Sequence, residues 1–159
     1  MMSRVLATCL SVLAVLAAAG CGSSAFTVGS ASVDPAYTCP AGAANSAYEF
    51  HARVPMDNST SGKVDVKSMD AVLVLSAVHG QWLQAVGTKY DAGSVRFAPA
   101  GVAANSKETI DVAIPSACSD PKHTGTNDNY ADYSVQLTIV TSAGTFHVTS
   151  QNKHRILAP

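Results

Sequence analysis

Tyr133-Ser134-Val135-Gln136-Leu137-Thr138-Ile139, turned by Ser142-Ala143-Gly144 into Thr145-Phe146-His147-Val148-Thr149-Ser150, decides the fold class. Tyr133, Val135, Leu137 and Ile139 fall on one side of an extended chain, and Ser134, Gln136 and Thr138 fall on the other. A strand has a side-chain period of two, so this pattern buries one face and wets the other. The small turn residues between two such runs predict a β-hairpin. Lys153-His154-Arg155-Ile156 can extend its second strand.

The same pattern recurs upstream. Tyr48, Phe50, Ala52 and Val54 share a face, with Pro55, Asp57, Asn58 and Gly62 expected to break the strand. Val64 and Val66 alternate with Lys63, Asp65 and Lys67. Strict alternation onward from Val66 would turn Ser68 and Asp70 inward. A one-residue slip after Ser68, a β-bulge near residues 68–70, instead turns Met69, Ala71, Leu73 and Leu75 inward. His79-Gly80-Gln81-Trp82-Leu83-Gln84 is irregular and reads as either a helical turn or a strand. Val95 and Phe97 form a short strand ended by Pro99, and Ile110, Val112 and Ile114 form another ended by Pro115. A polar loop, Ser116 to Asn129, follows.

About seven strands separated by Gly and Pro, without a long helix, predict an all-β protein, an antiparallel sandwich of immunoglobulin-like or fibronectin-like type. Tyr133 stands where a tyrosine corner would sit in such a sandwich. Cys118 precedes that strand, so the usual immunoglobulin cysteine pattern is missing.

The amino terminus has a different character. Arg4 precedes a run, Val5 to Ala19, interrupted only by Thr8, Cys9 and Ser11. A charged start, a short apolar core and a small-residue end describe an export signal, and the run is too short for a comfortable membrane span. Its last residues, Ala18-Ala19-Gly20-Cys21, resemble the lipobox of bacterial lipoproteins, with Ala18 where that family usually has Leu. The resemblance implies cleavage before Cys21 and acylation of Cys21. It predicts residues 1–20 as signal peptide, 21–46 as acylated cysteine and flexible tether, and 47–159 as the sandwich domain. Gly22-Ser23-Ser24, Gly29-Ser30-Ala31-Ser32, Pro35, Pro40 and Gly42 make the tether small and polar. Such a stretch has too little apolar surface to order itself. The implied location is the bacterial cell membrane, or an outer membrane where one exists, with the domain extracytoplasmic.

Cys9 leaves with the signal and Cys21 carries lipid, so Cys39 and Cys118 remain as an even pair in an oxidising compartment. A disulfide between them is expected. Eleven acidic side chains face ten basic ones, of which Arg4 leaves with the signal. That balance lacks the basic stripe that a nucleic-acid partner requires.

The chain carries few motifs of chemistry. His51, His79, His123, His147 and His154 show no metal-like spacing, and His51 and His147 fall on the polar sides of their strands. They could meet only if the first and last strands were neighbours. The loop Asp120 to Asp132 offers Asn127, Asp128 and Asp132 as calcium-type oxygen ligands, although Asp and Asn are also ordinary turn residues. Trp82 is read foremost as a core anchor and secondly as a ligand surface with His79 and Tyr90. Asn58-Ser59-Thr60 is read as a turn. No nucleophile elbow, zinc-protease helix or phosphate loop occurs. The expectation is a non-catalytic, lipid-anchored binding module without a cofactor, held to the membrane by Cys21 and recognising an envelope protein or component. The alternative is a metal- or small-ligand-binding lipoprotein using His79, Trp82, His123, Asp128 and Asp132.

Overall fold

In the computed structural model, which describes residues 25–43, 45–118 and 129–158, the chain folds into twelve strands. They are β1 (Phe26–Val28), β2 (Ser32–Val33), β3 (Ala36–Thr38), β4 (Ser46–Asn58), β5 (Val64–His79), β6 (Lys89–Ser94), β7 (Arg96–Ala98), β8 (Gly101–Val102), β9 (Ser106–Cys118), β10 (Asn129–Thr141), β11 (Gly144–Thr149) and β12 (His154–Ala158). The all-β, two-sheet expectation holds, but the strand count exceeds seven because the chain breaks and rejoins sheets. One sheet has the order β1-β4-β9-β7, with β2 also on β4. The other has the order β3-β12-β10-β5-β6, with β11 on β10 and β8 on β5.

The hairpin read from alternation is present: β10 and β11 pair from Gln136↔Thr149 to Thr141↔Gly144. The run after β11 does not simply continue it. β12 pairs with the first half of β10, Tyr133↔His154 to Asn129↔Ala158, after an excursion at residues 150–153. Asn152 reaches sideways there, accepting from Val33 N–H at 2.8 Å and donating to Val33 C=O at 2.7 Å. One side chain thus replaces a pair of ladder bonds and ties the two sheets together.

The bulge in β5 also forms, one residue earlier than expected. Val140 pairs with Ser68 and Thr141 with Val66, leaving Lys67 as the extra residue. The phase change buries Met69, Ala71, Leu73 and Leu75. Met69, Ala71 and Leu73 share a core with Phe50, Ala52, Val54 and Met56 from β4, Ile110, Val112 and Ile114 from β9, and Val135, Leu137 and Ile139 from β10. Interdigitation of two inner faces is the usual core of a sandwich.

Two prolines do not stop their strands. β4 continues past Pro55 to Asn58, and β9 continues past Pro115 to Cys118. Pro55 C=O accepts from Gly29 N–H at 2.8 Å, so its missing N–H faces the irregular stretch between β1 and β2 rather than the β9 ladder. Pro115 lies beyond the part of β9 that β7 covers, Asp111 to Ala113.

The tether expected over residues 21–46 is corrected from Phe26 onward. β1 and β2 line the edge of β4, and the chain then crosses at Asp34-Pro35 so that β3 pairs parallel with β12. Ala31 is fully buried, and Val33 and Cys39 nearly so. The composition argument fails because this segment does not order itself. Existing sheet edges supply hydrogen-bond partners, and small residues let it lie close to them. Cys21 and the rest of residues 1–24 lie outside the described residues.

Candidate functional site

The chain starts its described course at one end of the sandwich, where Phe26 pairs with Asn58. The opposite end gathers the start of β4, the ends of β5, β9 and β12, and the start of β10, through Ser46↔Cys118, Tyr130↔His79 and Asn129↔Ala158. The expected disulfide is there. Cys39 and Cys118 are bonded with Cα atoms 5.8 Å apart, joining the segment after β3 in one sheet to β9 in the other.

A small second core surrounds this bond, made of Cys39, Ala43, Cys118 and Ile156, with Tyr37, Tyr48, Tyr133 and Trp82 packed on it. Trp82 therefore does not anchor the main core, correcting the favoured reading. A sandwich interior is filled from strands, and Trp82 sits in the loop between β5 and β6. It is half-buried and forms a wall of a pocket of about 390 Å³. Leu73, Tyr133, Ile156 and the disulfide make the apolar floor, and Tyr90, Gln84, Thr88 and Ser116 supply polar groups. Tyr90 lines the same pocket as Trp82. His79 does not.

The loop above the pocket is pinned by main-chain bonds. Gly87 N–H donates to Leu75 C=O at 2.8 Å, Leu75 N–H to Thr88 C=O at 2.9 Å, and Gln81 N–H to the Asn129 side chain at 2.9 Å. Its apolar side chains nevertheless face water. Among the described residues, the exposed large hydrophobic ones are Val78 at 39%, Leu83 at 65%, Val86 at 58% and Tyr90 at 45%, all within residues 78–90. They lie together on one arm rather than scattered over the surface.

A buried polar chain runs behind the pocket. His154 is fully buried and stacks on Phe50 with centroids 4.0 Å apart. Its Nδ1 lies 2.8 Å from Asp34 C=O, which can only accept, so Nδ1 carries the hydrogen. Nε2 then accepts from the Tyr48 hydroxyl at 3.2 Å. Burial pushes Tyr48 up to about 12, against a hydrogen bond from Ser116 that lowers it. Burial holds His154 below its ordinary value, while the Asp34 carbonyl pulls the other way. Burial also raises Tyr133, partly offset by a hydrogen bond with Trp82. These groups join three segments of chain in neutral form.

The other expected ligands are placed as follows. His79 stacks on Tyr130 with centroids 5.0 Å apart, and the Arg155 guanidinium lies 3.9 Å from the same ring centroid. Asp132 is held by Arg155 in a two-pronged ion pair at 2.7 and 2.9 Å, so its carboxylate is already engaged. His123 and Asp128 lie outside the described residues, as does Asn127. His51 pairs with Asp34 at 3.1 Å and His147 contacts Thr138 at 3.2 Å, on different sheets, so the two do not meet. Among the described residues, no group of three or more His, Cys, Asp or Glu side chains is placed to hold a metal. Sequence reasoning missed Lys89, Leu83 and Val86. The available signal was an apolar loop, Trp82-Leu83 and Ala85-Val86, with no strand face on which to bury itself.

The fold defines an all-β two-sheet sandwich with its side-chain chemistry gathered at one end. No family model matches the chain, and no curated protein matches it. Among solved structures, a late embryogenesis abundant protein is similar at TM-score 0.45 and 13% identity over 84% of this chain and 72% of that one. The PapD-like domain of human CEP192 is similar at TM-score 0.33 and 8% identity, covering 100% of this chain and 96% of that one. The CooA pilin subunit of enterotoxigenic Escherichia coli is similar at TM-score 0.33 and 15% identity, covering 82% and 99%.

Proposed function

We propose that this chain is a non-catalytic, lipid-anchored binding module of the bacterial envelope, built on an immunoglobulin-like sandwich and engaging an envelope protein through the arm between β5 and β6. One observation carries the reading: among the described residues, the exposed large hydrophobic ones all lie between Val78 and Tyr90, at the end opposite Phe26, where the described chain begins. The strand order supports the immunoglobulin-like assignment. An edge segment starts on one sheet as β1 and β2, switches to the other as β3, and runs parallel to the last strand. With that edge segment, β4, β9 and β7 make the four-strand set of a variable-type domain, and β12, β10, β5 and β6 follow the order of its larger sheet.

Lipid on Cys21 would set the geometry. Three residues lie between Cys21 and Ala25, and the four Cα-to-Cα steps reach at most about 14 Å. β4 has thirteen residues, a rise of roughly 40 Å. The sandwich would stand close to the membrane with its arm pointing away, toward soluble or neighbouring envelope partners.

Two measurements test this. Replacing Cys21 with Ser should move the protein from the membrane fraction to the soluble exported fraction and remove acyl mass from the amino-terminal peptide. Retention on the membrane refutes the anchor. A photo-crosslinking residue at Leu83 should trap a discrete envelope protein that the same residue at Lys63, at the other end, does not. Identical adducts from both positions refute the arm as the contact surface.

A further inference from the structure

β6 ends its sheet. It pairs with β5 on one side, and among the described residues no strand pairs with it on the other. The ladder decides which of its backbone groups stay open. Leu75 N–H donates to Thr88 C=O at 2.9 Å, and Gly87 N–H donates to Leu75 C=O at 2.8 Å. Bonded pairs alternate along an antiparallel ladder, so the next residues to exchange bonds are Leu73 and Tyr90, which stand in register. The N–H and C=O groups of Lys89 and Asp91 therefore point away from β5, at the open edge.

The side chains alternate as well. Tyr90 shares the inner face with its register partner Leu73, and Lys89 and Asp91, in register with Val74 and Val72, stand on the outer face. All three are exposed. The Asp91 carboxylate is steadied by Gly93 N–H, which donates to it at 2.8 Å. A lysine on an edge strand ordinarily discourages pairing. Here the edge reads Lys89-Tyr90-Asp91, so a two-fold axis at Tyr90 sets each lysine opposite an aspartate.

The geometry points to β6 as the contact through which two copies of this chain pair edge to edge, antiparallel about Tyr90. On each side of the axis the open N–H and C=O groups of Lys89 meet those of Asp91 of the second copy, and the two side chains form an ion pair. On the inner face Tyr90 meets Tyr90, directly opposed at a position without ladder bonds, where side chains come closest. Antiparallel pairing points the two Phe26 ends away from each other, so copies carrying lipid on Cys21 would meet from facing membrane surfaces. The contact is short, and its dimer is weak and reversible.

The test uses the full exported chain carrying Cys21→Ser. Sedimentation should show a reversible monomer–dimer equilibrium. Lys89→Asp and Asp91→Lys each set like charges opposite one another and should each weaken the dimer about ten-fold or more. An equimolar mixture of the two variants sets Lys against Asp at every position and should restore it, which also shows that both variants fold. With Tyr90→Cys, mild oxidation should give a covalent dimer, because directly opposed residues without ladder bonds have Cα atoms about 4.5 Å apart, within disulfide reach. Lys63→Cys, at the other end, should not. A parent that stays monomeric up to millimolar concentration overturns the inference. A mixture no tighter than its two components, or a Lys63→Cys dimer as abundant as the Tyr90→Cys one, also overturns it. Pairing through β6 is independent of what the arm engages: a Leu83 adduct with another protein bears on the arm alone, and the mixing result bears on β6 alone.

Discussion

Removing the disulfide by the double substitution Cys39→Ala and Cys118→Ala should destabilise the protein severely while leaving its sheets intact. The bond spans 79 residues of sequence. In the chain-entropy treatment, opening a loop of that size returns about 4.5 kcal/mol of conformational freedom to the unfolded state at 25 °C. Natural domains have only about 5–15 kcal/mol of stability in total. For a domain of this length the loss corresponds to a fall in Tm of roughly 10–20 °C. The structure sharpens the prediction. Both cysteines are almost fully buried, and the bond joins an edge segment held by three register pairs, Arg155↔Ala36 to Leu157↔Thr38, to a long central strand. The assay is urea unfolding followed by circular dichroism and by Trp82 fluorescence, the latter reporting the cluster around the bond. The variant should show a lower midpoint and a steeper dependence on urea, because an unlooped chain exposes more surface on unfolding. A stability within about 1 kcal/mol of the parent would refute the reasoning, since the long loop would then not be the source of the stabilisation.

Stability should also fall in mild acid through His154. Its folded pKa is lowered by burial, so the unfolded chain binds the proton first, and stability drops as pH falls below about 6.5 by up to ~1.4 kcal/mol per unit. Thermal melts between pH 7.5 and 5 should show this slope in the parent and a smaller one in His154→Gln; equal slopes refute the assignment. Asn58→Ala should cost about 2–4 kcal/mol by urea titration, because the buried Asn58 amide serves the carbonyls of Gly62, Val102 and Ala103 at 2.8, 3.1 and 3.0 Å and its oxygen accepts from Thr60 N–H at 3.1 Å. Gly101→Ala should cost about 1–3 kcal/mol in the same assay, since an added Cβ would lie 2.8 Å from Val64 C=O, a backbone atom with little room to yield.

The hairpin of Tyr133 to Thr149 and the inward set of Met69, Ala71, Leu73 and Leu75 were legible because a period of two is a local property: each residue's face follows from its neighbours. The pairing of Cys39 with Cys118 was legible because the expected leader and acylation left only these two cysteines to pair. The Asn58-Ser59-Thr60 turn could also be read, since Asx side chains close turns locally, although the three carbonyls that hold Asn58 come partly from residues 44 and 45 positions away.

What tertiary structure alone decided is where backbone partners come from. The poorly apolar segment Phe26 to Thr38 becomes strand only because the edges of β4 and β12 are there to receive it. Pro55 and Pro115 stay within strands only because no ladder bond is needed on their open sides. The same holds for the site. Leu73, Tyr133 and Ile156 of one sheet and Ser116 and Cys118 of the other line a single pocket only after the two sheets close over each other. Alternation tells a residue which face it occupies; it carries no information about which distant face lies opposite, and the pocket is made of that second fact.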